Sequence, residues 1–176
     1  MLAAVPVGIM WVLEAVDTTS PNALDRFGIQ SWNLDGLWGL ATAPWLHHGW
    51  QHLANNSGPL LVLGSLVALS GLRRWLVTTL MVALTSGMAA WLLSPPGTLT
   101  LGASGIVFGW LTYLVARGLW SRNLVQVLVG IGVFIVYGGI LWGVLPSTPG
   151  ISWQAHLGGA IGGLLSARGG RPGLPR

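Results

Sequence analysis

The chain has 176 residues, of which 52% are hydrophobic and only 7% charged, against about a quarter charged in a typical soluble domain. All eight basic residues are Arg, four residues are acidic, and Cys is absent, which excludes disulfides, thiol catalysis and cysteine-zinc sites. The arginines stand singly or in pairs between long apolar runs, not in a stripe among aromatics, which favours a lipid bilayer as partner over nucleic acid.

A bilayer core takes about 20 mostly apolar residues per helix. Six stretches meet or approach that length: 2–16, 53–71, 75–94, 103–119, 125–145 and 153–167. The breaks between them carry turn chemistry or charge, as in "DTTSPNALDR", "GLRRW", "SPPGTLTLG", "RGLWSRN" and "PSTPG". The first stretch lacks a basic n-region and an obvious cleavage site, so it reads as a first span rather than a cleaved signal. The expected fold is an all-α membrane protein with six transmembrane helices over residues 1–167. Residues 168–176, "RGGRPGLPR", read as a disordered cytoplasmic tail.

Between the first two spans, residues 17–52 form a segment too long for a turn, with Trp32, Trp38, Trp45 and Trp50 among few charges. Such a segment is expected to lie in the interface plane with its rings at headgroup depth. Arg73, Arg74, Arg117, Arg122, Arg168, Arg171 and Arg176 all fall on one face of this topology. Glu14, Asp17, Asp25 and Asp35 lie near or on the other, with Arg26 the basic exception. The positive-inside rule then predicts cytoplasmic termini in the cell membrane.

Polar groups inside a membrane are costly and need a reason. The four His (His47, His48, His52 and His156) all fall at outer ends of spans. In "HHGWQHLANN", His52 and Asn56 are four apart and share one helical face. Ser104 opens the fourth span and His156 the sixth, on the same outer side. The fourth span carries Gly102, Gly105 and Gly109, and the sixth carries Gly158, Gly159, Gly162 and Gly163. Small residues four apart let membrane helices approach closely. If these glycine faces meet, Ser104 and His156 stand opposite one another, and a base from a distant span serves the serine. Taken singly, the serine also reads as helix packing and the histidines as interfacial anchors. A metal site at His47, His48 and His52 finds no carboxylate at a ligand spacing beside it. Glu14 reads as a snorkelling residue or a hydrogen-bond partner of the long loop.

With "HHGWQHLANN", "GASGIVFG" and "AHLGGAIGG" in this order on spans two, four and six, the chain resembles the rhomboid intramembrane serine proteases in a minimal six-span form. The resemblance implies a Ser–His dyad of Ser104 as nucleophile and His156 as general base, with no cofactor and no metal. It implies an oxyanion hole from His52, Asn56 and the Ser104 N–H, and supporting roles for Gly102, Gly105, Phe108, Gly159, Gly163 and His47. Phe108 stands where the family often has Tyr stacked under the histidine. Gly39 follows Trp38 where the family often has Arg, so that arginine's loop-bracing contacts must be absent or replaced. Implied substrates are membrane-anchored proteins whose spans contain helix-weakening residues, cleaved near the extracytoplasmic surface at a water-accessible polar cavity. The alternative is a catalytically inactive rhomboid-like protein that binds or escorts membrane clients. The oligomeric state is left open.

Overall fold

The computed structural model describes residues 2–19, 23–121, 123–146 and 150–168. Of the expected tail, Arg168 belongs to the last helix, while residues 169–176, Arg171 and Arg176 among them, lie with Arg122 outside the described residues. Helix α1 spans Ala4–Thr19, the short α2 Gly39–Thr42, α3 Trp50–Ala68, α4 Leu72–Leu93, α5 Ser104–Trp120, α6 Leu124–Tyr137 and α7 Trp153–Arg168. Six long helices therefore occupy the six predicted stretches. Two of the segments, Leu72–Leu93 and Leu124–Val144, are long and apolar enough to cross a bilayer by length and composition alone.

Helices α3 and α4 each begin three residues earlier than the sequence suggested. Gly49 (φ +93°) and Gly71 (φ +94°) cap them in a backbone region that disfavours other residues, so the chain turns and enters the helix at once. Arg73 and Arg74 consequently lie in the first turn of α4, not in a loop. Helix α6 has a sequence-local start: the Asn123 side chain accepts from the N–H groups of Val125 at 3.0 Å and Gln126 at 3.3 Å.

The expected continuous span over 125–145 is not one helix. It tightens after Tyr137 into a 3₁₀ segment, Gly138–Val144. Runs of 3₁₀ longer than three or four residues are uncommon and often mark function or strain. Gly138 and Gly139, both poor at holding an α-helix, stand at the transition.

Helices α4, α5 and α7 form the centre. The glycines of α7 split between two neighbours rather than forming one face toward α5. A side chain at Gly159 would run into the Gly105 carbonyl, and one at Gly163 into the Gly109 carbonyl and Thr112. A side chain at Gly158 would meet Ala89 and the Thr85 carbonyl, and one at Gly162 would meet Thr85. Helix α7 is thus wedged between α5 and α4, backbone nearly on backbone. A hydroxyl crosses each contact: half-buried Thr112 donates to the Ala160 carbonyl and buried Ser86 to the Ala155 carbonyl, each at 2.9 Å. Leu53, Leu63, Val67, Val82 and Leu111 fill the apolar core around this wedge and are fully buried.

The fold is not wholly α. Ile29–Gln30 pairs antiparallel with Leu99–Thr100, giving two short strands, β1 and β2. The Ser31 N–H donates to the Thr98 carbonyl at 3.0 Å, Trp32 Nε1 to the Ser94 carbonyl at 3.1 Å, and Trp91 Nε1 to the Asn33 carbonyl at 2.9 Å. These bonds brace the first loop without an arginine after Trp38. Gly39 itself is pressed onto the backbone of Gly28 and Ile29, where no side chain fits.

Candidate active site

Ser104 is the first residue of α5, so its N–H has no acceptor within the helix. Gly102, at φ +112°, makes the turn into that helix. The imidazole of His52 lies against Gly102, where an added Cβ would come within 2.6 Å of the ring. The turn therefore has two independent reasons to carry glycine.

Opposite Ser104, the first turns of α7 deliver His156, 7% exposed. Its Nε2 lies 2.9 Å from Ser104 Oγ. Its Nδ1 lies 2.9 Å from the Gly143 carbonyl, supplied by the 3₁₀ segment after α6. A carbonyl only accepts, so Nδ1 carries the ring proton and Nε2 presents a lone pair to the serine hydroxyl. The ring of Phe108, one turn along α5, stacks on the imidazole at 4.0 Å between centroids and 10° between planes. The imidazole is held by one hydrogen bond on each nitrogen and by a flat apolar face.

Sequence reasoning missed Gly143. It belongs to an apolar run, "YGGILWGV", and works through a backbone atom, which leaves no mark in residue identity.

His52 and Asn56 do share a face of α3. The Asn56 amide donates to its own helix's His52 carbonyl at 3.1 Å and is buried. His47 packs edge-on against His52, with centroids 5.1 Å apart, and its Nε2 accepts from the Ala103 N–H at 3.4 Å. His47 thereby caps the backbone just before Ser104. Burial and the neighbouring His52 lower its pKa to about 4, so it is a neutral acceptor near pH 7.

His48 meets Asp25 Oδ2 at 2.7 Å. That hydrogen bond and the charge of Asp25 raise the His48 pKa. Carboxylates do approach the loop histidines, but from α1 and the loop. Glu14 and Asp17 line a small pocket with Asp25, Leu46 and His47. Glu14 does not snorkel; it is 3% exposed. Among the described residues, no three His, Cys, Asp or Glu side chains are arranged to hold a metal ion.

A cavity of about 20 Å³, room for about one water, lies between the first loop and α4, α5 and α7, bordered by Leu40, Ser86, Gly102 and Ala155. It is mainly apolar, and neither Ser104 nor His156 lines it, so it is not the polar cavity expected from the sequence.

The glycine-packed core of α4, α5 and α7 thus holds Ser104 within hydrogen-bond reach of a buried, oriented histidine. A family model described as Rhomboid domain matches residues 34–171. An uncharacterized protein of Mycobacterium tuberculosis (strain H37Rv) is 41% identical over 169 residues, covering 92% of this chain and 70% of that protein. An uncharacterized protein of Mycobacterium leprae is 42% identical over 169 residues, covering 92% and 67%. Rhomboid protease GluP of Bacillus subtilis is 32% identical over 154 residues, covering 85% of this chain but 30% of that protein. The chain belongs to the rhomboid family, whose members are membrane-embedded.

Proposed function

We propose that the chain is an intramembrane serine endopeptidase that uses Ser104 and His156 as a dyad. The observation that carries this reading is the 2.9 Å contact between His156 Nε2 and Ser104 Oγ, with the opposite ring nitrogen committed to Gly143. A general base needs a lone pair within hydrogen-bond reach of the proton that it takes.

His156 takes the Ser104 proton as Oγ attacks a substrate peptide carbonyl. The oxyanion that forms accepts from the Ser104 N–H at the head of α5, and from His52 and Asn56 once the Asn56 amide swings off its own helix. His156 then returns the proton to the leaving amine, and a water activated by the same ring releases the acyl group. Substrates are membrane-anchored proteins, and the scissile segment must be extended, so spans weakened by small or helix-breaking residues fit best.

In this reading the six long helices all span the membrane, with the arginine-rich ends in the cytoplasm and the dyad near the outer surface. The test is cleavage of a single-span substrate by purified protein, beside labelling with a fluorophosphonate. Ser104→Ala and His156→Ala should abolish cleavage while the protein still inserts and folds. Cleavage retained in Ser104→Ala would overturn the assignment. Wild-type protein that neither cleaves nor labels would favour a client-binding rhomboid without catalysis.

A further inference from the structure

The buried hydroxyl of Ser86 lies behind the Ser104–His156 pair, on a helix that contributes neither residue. It donates to the carbonyl of Ala155, the residue immediately before His156, at 2.9 Å. It also presses against Gly105, the residue immediately after Ser104, so closely that a Cβ at Gly105 would collide with its oxygen. Ser86 is 8% exposed. One side chain thus touches the backbone neighbours of both members of the pair.

The bond is not needed to fill space or to complete a helix. Within α7 the Ala155 carbonyl already faces the N–H one turn on, at Gly159, so Ser86 supplies a second donor to an oxygen with two lone pairs. It does so at the first turn of α7, where the helix backbone is least tied to itself. Against α5, the wedge of α7 is held by glycine contacts and by the Thr112–Ala160 hydrogen bond, five residues further along α7 than Ala155. A hydrogen bond is directional, and the one from Ser86 acts from α4 on the residue next to His156 itself.

We propose that Ser86 is a positioning residue for the dyad: its hydroxyl pins the start of α7 to α4 beside Gly105 and so sets the distance from His156 to Ser104. This rests on the dyad reading above. A base displaced by about 1 Å can cost on the order of a hundredfold in rate. Loss of one of several constraints on His156, with the Gly143 bond and the Phe108 stack intact, should cost less.

The experiment compares Ser86→Ala and Ser86→Cys with wild type in detergent micelles, reading kcat and KM on a single-span substrate, fluorophosphonate labelling rate and melting temperature. Ser86→Ala removes the donor and little else. It should lower kcat and labelling rate about tenfold, with KM within about twofold and melting within about 3 °C. Ser86→Cys, which keeps a weak donor in the same place, should recover part of the loss. The proposal is overturned if Ser86→Ala keeps kcat within about twofold, if Ser86→Cys is as impaired as Ser86→Ala, or if the loss scales with a larger fall in melting temperature. Wild type that labels beside an unimpaired Ser86→Ala removes the positioning role alone. Wild type that neither cleaves nor labels removes the dyad reading, and the positioning role with it.

Discussion

His156 donates its Nδ1 proton to the carbonyl of Gly143 across 2.9 Å, and so a backbone atom occupies the place that a carboxylate takes in serine-protease triads. A carbonyl fixes the tautomer and the ring plane. It carries no full charge to stabilise an imidazolium, so the proposed dyad should turn over slowly by comparison with triad enzymes. Gly143 is also sterically committed. A Cβ there would lie 2.8 Å from Phe108 Cζ and 3.2 Å from His156 Nδ1. Gly143→Ala should push the ring off its stack and lower the fluorophosphonate labelling rate about tenfold or more. An unchanged rate would mean that the 3₁₀ segment yields and the carbonyl is not what orients the base.

Much of this arrangement is legible in the sequence because its signals are chemical. Histidine, serine and asparagine are rare at span ends, and glycine at a spacing of four predicts close helices. The approach of Ser104 to His156 was readable in that way, and the stacking of Phe108 on the histidine only through the resemblance to the family. The Gly143 carbonyl, the β1–β2 pairing and the tie from Ser86 to Ala155 were not, because each works through backbone atoms that any residue possesses. The division of α7 glycines between α4 and α5 was missed for a different reason. Gly158 and Gly159 are one residue apart, about 100° around a helix. The pattern "GGAIGG" therefore describes two adjacent stripes as well as one.

In the proposed dyad, those two stripes should separate stability from catalysis. Gly159→Ala places a methyl group in the Gly105 carbonyl, next to Ser104, whereas Gly158→Ala places it against Ala89 and Thr85. Overpacking of this kind costs about 1–3 kcal/mol. Both variants should melt earlier in detergent. Gly159→Ala should lose several-fold more labelling rate than Gly158→Ala at equal stability. Equal losses in rate would show that α7 moves as a rigid rod between its neighbours.

The two loop histidines predict opposite pH dependences. The His47 pKa is lowered from 6.5 to about 4 by burial first and His52 second. The unfolded chain therefore takes up a proton at His47 before the folded one does. Stability from this site is fully present above pH 6.5 and falls as pH drops toward 4. The His48 pKa is raised, first by its hydrogen bond to Asp25 and then by that residue's charge. Its contribution is present below 6.5 and is lost as pH rises through the raised value. His48 is largely exposed, so its effect should be small and screened by salt. Melting temperature against pH should show a smaller acid-side decline in His47→Gln and a smaller alkaline-side decline in His48→Gln. A His47→Gln variant with the full acid-side slope would move that titration to another buried group.

The orientation of the chain is open to direct measurement because it has no native Cys. Thr98 lies in the loop between α4 and β2, near the proposed outer face, and Ser121 follows α5 at the arginine-rich face. In intact cells, Thr98→Cys should react with an impermeant thiol reagent and Ser121→Cys should not. The reverse pattern would place the dyad toward the cytoplasm.

The oxyanion assignment predicts a graded loss. Asn56 spends its amide on the His52 carbonyl at 3.1 Å and must give up that bond to meet an oxyanion, whereas the His52 ring already lies on Gly102 at the turn before Ser104. Losing one donor costs roughly 10²- to 10³-fold in a soluble serine protease. Asn56→Ala should cost less here, about tenfold in kcat, since part of its donor strength goes to breaking an internal bond. His52→Ala should cost more. It removes a donor and also leaves a hole between Gly102 and His47, the residue that caps Ala103. Ser57, one position beyond Asn56, accepts from Trp11 Nε1 at 3.0 Å and donates to the Leu53 carbonyl at 2.8 Å, so Ser57→Ala should leave kcat unchanged. EDTA should not affect the wild type. Activity abolished by EDTA and restored by zinc would reassign His47, His48 and His52 as ligands and require His48 to leave Asp25.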